Sequence, residues 1–264
     1  MHAARIAELL APFFESGRPP TDEQQLTTND LDRISTYIDI LLRWNARVNL
    51  TAIRDPEQIV TRHFGESLFA ARHLFPRAAQ GGADALVRPA TDDGTSRGRA
   101  ALQGRVEGRE EAGALAPEAA EQRSTNVTLA DLGSGAGFPG LPIKLWAPHV
   151  SLTLIESNHK KVAFLREITR ALILTDINIL HARAETLSAL AFDVVTLRAV
   201  ERFQSILPIA ARLLAPSGRL ALLIGASQAD SARGILPHLN WDAPIPIPRS
   251  RSGILLLATS LRRR

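Results

Sequence analysis

The sequence contains no cysteine among its 264 residues. Disulfides, thiolate metal sites and cysteine nucleophiles are therefore excluded, and we expect a cytoplasmic location. No apolar run reaches the roughly 18 residues that a membrane span needs. The first residues include Glu8 and Glu15 and lack the pattern of a cleaved signal peptide. We therefore expect a globular protein with no membrane partner.

Metal-binding patterns are also missing. Seven histidines are present, but none stands with carboxylates at the spacing of a metal site, so we predict no metal. Lysine and arginine number 31 against 27 for aspartate and glutamate, and the pI is about 10.2. This small basic excess suits a polyanionic partner, although it is equally common in proteins that bind no nucleic acid.

The patterns that are present divide the chain into three segments. Residues 1–75 are predicted to form a helical cap, with apolar residues at helical spacing and a helix start at Asp55-Pro56. Residues 76–126 contain many glycines and mixed charges and no aromatic residue, which predicts a flexible insertion. Residues 127–264 are predicted to form the main domain.

The main domain alternates between strand and helix patterns. Five strands separated by helix-length segments predict a parallel sheet with helices on both faces. Near the end of the chain, PIPIPRS and SGILLLATSLRRR have the pattern of two strands that pair antiparallel at the sheet edge. The expected fold is α/β and Rossmann-like, with a mostly parallel seven-stranded sheet, an antiparallel C-terminal edge and the N-terminal helical cap.

A glycine-rich stretch, ADLGSGAGFPGLPIK, follows the first predicted strand. It does not match a P-loop, because no lysine followed by serine or threonine stands at the required place. A dinucleotide loop has the pattern Gly-x-Gly-x-x-Gly, whereas the spacing here is Gly133-x-Gly135-x-Gly137. Asp131 precedes the first glycine and favours S-adenosylmethionine, because its carboxylate attracts the ammonium group of that cofactor and would repel a pyrophosphate.

Glu156 ends the second predicted strand. A carboxylate at this place accepts hydrogen bonds from both hydroxyls of an adenosine ribose. NAD-dependent enzymes share the feature, so Glu156 indicates the ribose and does not identify the cofactor. A structural alternative stays open for both acids, in which Asp131 and Glu156 cap neighbouring elements and the glycines only form a tight turn.

The prolines of GSGAGFPGLPIKL make this stretch similar to the cofactor loop of one particular methyltransferase family, which the glycine spacing alone does not identify. This stretch resembles the cofactor loop of the bacterial 16S ribosomal RNA guanine-N7 methyltransferases, the RsmG (GidB) family. WNARVNLTAIRDPEQIVTRHFGESL, KKVAFLREI and VVTLRAV are similar to further motifs of that family. The likeness covers residues 30–75 and 127–260, and the insertion between them has no counterpart in the family pattern.

The resemblance implies a class I methyltransferase fold with S-adenosyl-L-methionine as cofactor. The implied reaction is methylation of N7 of a guanine in the 530 loop of 16S rRNA, with the RNA or the small ribosomal subunit as partner, and we expect a monomer. The glycine turn and the resemblance together give these cofactor-binding residues: Asp131, Gly133, Gly135, Gly137, Phe138, Glu156, Ala184, Glu185 and Arg198. Two residues depart from the family pattern: Ile224 replaces a usual lysine and Glu66 a usual aspartate.

Arg198 lies in an otherwise apolar predicted strand and is our candidate catalytic residue. Its planar fork could bind O6 of guanine or a phosphate in a bidentate manner. The alternative is a structural pair with an acid such as Glu201. N7 of guanine has an available lone pair, so the reaction needs no general base, and alignment of the reacting atoms is the main task.

Four further residues are candidates for contact with RNA. Arg62 and His63 follow the helix start at Pro56, and Lys160 and Lys161 lie in the first turns of a predicted helix, where their charge does not complement the helix dipole. For His63 the alternative is a hydrogen-bonded structural histidine.

Two other functions stay open from the sequence. One is a non-catalytic RNA-binding or ribosome assembly factor with the same fold, which the absence of a lysine at Ile224 favours. The other is an NAD(P)-dependent oxidoreductase, which the glycine spacing disfavours.

Overall fold

The computed structural model describes residues 1–15, 26–77, 127–187, 190–199 and 202–261. From residue 78 onward the predicted insertion lies outside these residues, as does Glu201. The helices are α1 Ala3–Leu10, α2 Thr28–Asn45, α3 Pro56–Gln58, α4 Glu66–Leu74, α5 Gly140–Trp146, α6 His159–Ala171, α7 Phe203–Arg212 and α8 Ala229–Ile235. The strands are β1 Thr128–Leu132, β2 Ser151–Glu156, β3 Ile177–His181, β4 Phe192–Arg198, β5 Leu214–Gly225, β6 Asn240–Trp241, β7 Ile245–Pro246 and β8 Gly253–Thr259.

The N-terminal helices begin at residues suited to capping. Thr27 and Asp30 exchange side-chain and backbone hydrogen bonds in a capping box at the start of α2. Asp55 accepts a hydrogen bond from the Gln58 N–H, and Pro56 is the first residue of α3, so the predicted helix start is confirmed. A π-helical segment, Ile59–Gly65, joins α3 to α4.

The sheet has the strand order β3-β2-β1-β4-β5-β8-β6, and β7 also pairs with β8. The first five strands in this order are parallel, and β8 runs antiparallel to β5, β6 and β7. The predicted parallel sheet with an antiparallel edge is therefore confirmed. Its strands number eight in the described part of the chain rather than seven, because β6 and β7 are two-residue strands that pair with different parts of β8.

Helices cover both faces of the sheet. Alternate residues of each strand point to opposite faces, as in β1, where Leu129 joins one apolar cluster while Ala130 and Leu132 join the other. The first cluster contains α5, α6 and the N-terminal helices, and the second contains α7 and α8. The N-terminal helices therefore share a core with the sheet and belong to the same compact unit.

Close contacts hold the N-terminal helices to each other and to the sheet domain. Within the helices, the ring of Phe13 lies against Gly65 so closely that a β-carbon at this glycine would overlap it. The indole of Trp146 in α5 donates a 2.9 Å hydrogen bond to the carbonyl of Phe75, which follows α4. Among the described residues, no helix has both the length and the apolar character that crossing a membrane requires.

Candidate active site

The candidate site lies at the carboxyl ends of the parallel strands. β1 is paired with β2 on one side and with β4 on the other, so the chain reverses its winding direction at β1. Open α/β sheets bind their ligands in the crevice outside the strand ends at such a switch point. The ends of β1, β2 and β4 bring the glycine turn, Glu156 and Arg198 to this edge of the sheet.

The glycine turn depends on backbone conformations that favour glycine. Gly133, Gly135 and Gly137 have φ angles of 69°, 56° and 85°. The N–H groups of Gly133 and Ser134 both donate to the carbonyl of Ile155 in β2, at 2.9 and 3.1 Å, which holds the turn against the next strand. A β-carbon on Gly135 would meet no atom closer than the Gly133 carbonyl at 3.7 Å, so this glycine borders open space.

Tyr37 of α2 supports the turn from the opposite side. Its buried hydroxyl donates a 2.5 Å hydrogen bond to the carbonyl of Ala136, between two of the glycines. Burial raises the pKa of Tyr37 well above its ordinary value. A β-carbon on Gly137 would overlap this hydroxyl and Leu141, so the glycine is required for close approach. Tyr37 is not predicted from the sequence, because nothing in its helical spacing distinguishes it from an ordinary core residue.

Phe138 lies in the same interface. Its ring stacks between those of Tyr37 and His63, with centroid distances of 5.4 and 4.7 Å, and meets Phe64 edge-on. The side chain is buried. Phe138 therefore connects the glycine turn to the N-terminal helices, and its predicted place in the cofactor pocket stays a prediction.

Glu156 faces the glycine turn at the end of β2. One carboxylate oxygen accepts the N–H of Gly135 at 2.9 Å, and the other accepts the N–H of Asn158 at 2.8 Å. A carboxylate offers about four acceptor positions, so lone pairs on Glu156 are still available for two ribose hydroxyls. The carboxylate therefore combines a structural role in the turn with the chemistry that the ribose prediction requires.

Asp131 requires a correction. Its side chain has no exposed surface, and its carboxylate accepts hydrogen bonds from the Thr196 hydroxyl at 2.9 Å and the Gly140 N–H at 3.2 Å. Burial raises the pKa of Asp131 to about 6, against the opposing effect of these hydrogen bonds. The geometry is that of a cap at the start of α5, as in the structural alternative. Direct contact with a cofactor ammonium group is not available to a fully buried carboxylate.

The remaining predicted residues lie at neighbouring strand ends. Ala184 and Glu185 form a short 3₁₀ turn after β3, with Ala184 buried and Glu185 exposed. Lys160 and Lys161 lie in the first turn of α6, where their N–H groups donate to the capping side chain of Asn158. The predicted contacts of these residues with adenine and RNA stay predictions.

Arg198 is bound to the N-terminal helices, and its alternative partner Glu201 lies outside the described residues. Its Nε and Nη2 both donate to Oε2 of Glu66, at 3.3 and 2.9 Å. Nη2 also donates to the carbonyl of Arg62 at 2.8 Å, and Nη1 donates to Nδ1 of His63 at 3.1 Å. Arginine has five N–H groups, so among the described residues these contacts leave one N–H, on Nη1, without a partner.

The predicted bidentate contact of Arg198 with guanine or phosphate is therefore not available in this arrangement. Four of its N–H groups are committed within the protein, and only 12% of its side chain is exposed. The structural partner is Glu66, which also accepts a 2.8 Å hydrogen bond from Nε of Arg62. In the sequence, the available signal for the Arg198–Glu66 pair was that Glu66 stands where the resembled family usually has an aspartate.

His63 is the structural histidine of the two alternatives. The imidazole is buried, and its Nε2 lies 2.8 Å from the Thr51 hydroxyl. Because Arg198 can only donate, Nδ1 must accept, and the proton of the neutral ring is therefore on Nε2. Burial, together with the charges of Arg198 and Arg62, lowers the pKa of His63 to about 3. The prediction that His63 contacts RNA is therefore corrected, since both ring nitrogens are engaged inside the protein.

A cleft of about 280 Å³ opens beside Arg198 at the carboxyl ends of β4 and β5. Within the described residues, its charged lining side chains are Arg62, Glu66 and Arg198. Ile224 also lines it, so the position where the resemblance expects a lysine contributes an apolar surface. Arg62 is the exposed cation at the rim, which keeps its predicted role in RNA contact open.

The sequence matches the model of a known protein family over most of its length. The family model described as rRNA small subunit methyltransferase G (GidB) matches residues 30–82 and 114–235. The unmatched stretch between these ranges, residues 83–113, is shorter than the predicted insertion at 76–126. Both ends of that insertion were predicted to have no counterpart in the family, and they instead fall inside the family pattern.

Individual relatives are similar over most of the chain. A ribosomal RNA small subunit methyltransferase G from Xylella fastidiosa strain 9a5c is 31% identical over 86% of this chain and 87% of its own length. The protein of the same name from Halorhodospira halophila is 35% identical over 76% and 72%, respectively. A solved structure of a SAM-dependent methyltransferase from Aquifex aeolicus is 15% identical over 51% of this chain and 82% of that chain, with a TM-score of 0.44.

Proposed function

Because the chain belongs to the rRNA small subunit methyltransferase G family, we propose that it methylates N7 of a guanine in the 530 loop of 16S rRNA. The methyl donor is S-adenosyl-L-methionine. The observation that carries the proposal is the family match together with the position of Arg198, which ends β4 and lines the cleft beside the carboxyl ends of the parallel strands. We also propose that the protein works in the cytoplasm and as a monomer.

The residues at the strand ends fit the cofactor. Gly135 borders open space on the side where a β-carbon would stand, so a ligand can approach the backbone of the turn. Glu156 has acceptor positions left for the ribose hydroxyls. When bound, S-adenosyl-L-methionine supplies an electrophilic methyl group on a sulfonium. Gly133, Gly135, Glu156 and the Ala184 turn would hold it.

The chain's own residues then have a limited chemical task. N7 of guanine carries a lone pair, so no side chain has to remove a proton before transfer. The cleft has to hold the base in line with the donor and keep water out. Arg198 contributes a fixed positive charge and one available N–H at the cleft wall. Lys160 and Arg62 are exposed cations that would contact RNA phosphates.

The proposal is tested by methyl transfer to defined RNA. The purified protein is incubated with labelled S-adenosyl-L-methionine and, separately, with small ribosomal subunits, protein-free 16S rRNA and precursor rRNA, and the labelled base is then mapped. We expect label on N7 of one guanine in the 530 loop. S-adenosylhomocysteine binding without transfer to any RNA would instead identify a non-catalytic assembly factor, the alternative that Ile224 in the cleft favours. Tight binding of a nicotinamide dinucleotide would contradict both.

A further inference from the structure

Glu66 is a buried carboxylate with an unused acceptor position. Its side chain is 9% exposed and lines the cleft. Oε2 accepts two N–H groups from Arg198, and Oε1 accepts one from Arg62. Of the roughly four positions that a carboxylate offers, the contacts of the described residues occupy three. The fourth belongs to Oε1, and Glu66 is one of the residues that line the cleft beside Arg198.

The edge of a purine can be read by such a carboxylate. Guanine carries a donor at N1–H next to the O6 acceptor, whereas adenine carries an acceptor at N1 next to its amino donor. A fixed acceptor therefore attracts guanine at N1 and repels adenine at the same atom. The site rejects the wrong base strongly when the polar group that reads it is buried, because a mismatch leaves that group unpaired.

We propose that Glu66 determines base specificity by accepting the N1–H of the target guanine. The inference rests on the proposed function and assigns the reading of the base to a residue outside the cofactor site. It accounts for two features together. The carboxylate is held rigidly by two arginines, and Ile224 leaves the cleft without a cation at the end of β5.

A purely positioning role of Glu66, in which it only orients Arg198, makes a different prediction. Loss of orientation slows transfer to every base by the same factor, whereas loss of the acceptor slows transfer only to bases that have N1–H. The two roles are therefore separated by a ratio of rates. Intrinsic differences in N7 reactivity between bases cancel when this ratio is compared between the wild-type protein and a variant.

The test uses RNA in which the target guanine is replaced by inosine, which keeps O6 and N1–H, or by 2-aminopurine, which lacks both. We expect the wild-type protein to prefer guanine and inosine to 2-aminopurine by at least about tenfold in kcat/KM. In Glu66→Gln the guanine to 2-aminopurine ratio should fall at least about tenfold, because one end of the amide is a donor. Glu66→Asp, which has the family's usual residue, should restore the preference.

Arg62→Ala is the matched control, because it removes a partner of Oε1 without removing the acceptor, and the ratio should be kept. Melting temperature and S-adenosylhomocysteine affinity are measured for each variant. An unchanged ratio in Glu66→Gln overturns the inference. So does equal transfer by the wild-type protein to guanine and 2-aminopurine RNA, a result that needs no variant. If the wild-type protein methylates no RNA, the proposed function fails instead.

Discussion

Arg198 illustrates how little freedom a single side chain retains in this site. Its guanidinium is held by a carboxylate, a carbonyl and an imidazole nitrogen, all from the segment between Arg62 and Glu66. A fixed cation needs no reorganisation when a reaction occurs, which is the general advantage of preorganised charge. Removal of Arg198 also leaves the buried Glu66 without its main partner. Activity is therefore affected by the loss of the cation from the cleft, and stability by the unpaired carboxylate of Glu66.

We expect Arg198→Ala to reduce methyl transfer at least about 100-fold and to lower the free energy of unfolding by roughly 3 kcal/mol, because a buried carboxylate loses its partner. Single-turnover assays and urea unfolding measure the two effects. The double variant Arg198→Ala with Glu66→Ala should recover much of the stability and none of the activity. Near-normal turnover in Arg198→Ala would show that this residue is not catalytic.

Two buried titratable residues act on stability in opposite directions as the pH changes. The pKa of Asp131 is raised to about 6 by burial, so its contribution is present at low pH and is lost as the pH rises through 6. The pKa of His63 is lowered to about 3, so its contribution is present above about 6.5 and is lost as the pH falls toward 3. Between pH 4 and 6 the two contributions oppose each other.

Asp131→Asn separates these contributions. The amide can accept from Gly140 and donate to the Thr196 hydroxyl, which can turn toward the Ala130 carbonyl at 3.3 Å. Relative to wild type, we expect the variant to gain on the order of 2 kcal/mol in free energy of unfolding between pH 4 and pH 7. Urea unfolding at a series of pH values measures this difference. A pH-independent difference would mean that the Asp131 pKa is not raised.

At the scale of elements, the glycine turn is held from two sides. β2 supports it through the carbonyl of Ile155 and the carboxylate of Glu156, and α2 supports it through Tyr37. The face of Gly135 is the part of the turn with open space beside it. The turn is therefore a rigid backbone surface, and a side chain added at this position would take the place of a ligand.

Gly135→Ala should lower S-adenosylhomocysteine affinity at least about tenfold and lower the free energy of unfolding by about 1 kcal/mol, the cost of a left-handed conformation for alanine. Calorimetric titration and urea unfolding measure these effects. Gly234→Ala is the control, because a β-carbon in α8 meets no atom within 4 Å, and it should keep the affinity. Equal affinity of the two variants would remove Gly135 from the cofactor site.

The sequence predicts those elements whose signals are local. The helix start at Asp55-Pro56 and the strand and helix alternation depend on neighbouring residues, and the structure confirms them. The partner of Arg198 was missed, because Glu66 is more than a hundred positions away and reaches it only through the packing of α4. Lys144 was missed for a different reason: its buried ammonium donates to the backbone carbonyls of the nearby Pro148 and Val150, and a backbone acceptor leaves no mark in the sequence.

At the scale of the whole molecule, one apolar cluster joins the N-terminal helices to the sheet. It contains residues of α1, α2 and α4 together with residues of β1, β5 and β8. Elements that share a core lose their packing together when one of them unfolds. The predicted division into a cap, residues 1–75, and a main domain, residues 127–264, therefore describes the chain order rather than two independent cores.

We expect a single cooperative unfolding transition for these parts. Two variants that each keep one tryptophan, either Trp44 in α2 or Trp241 in β6, report on the helices and the sheet separately. In each variant the fluorescence midpoint should coincide with the midpoint from far-UV circular dichroism. A transition of Trp44 at lower denaturant concentration than that of its own circular dichroism would indicate that the helices unfold first.

The hydrogen bond from Tyr37 to the carbonyl of Ala136 couples the stability of α2 to ligand binding at the glycine turn. A ligand that orders the turn also favours the conformation of α2 that supplies the hydroxyl, and by reciprocity an ordered α2 strengthens binding at the turn. Backbone amides around Tyr37 in α2 should then exchange with deuterium more slowly in its presence. Slower exchange in α2 would therefore report ligand binding at the glycine turn through the hydrogen bond of Tyr37.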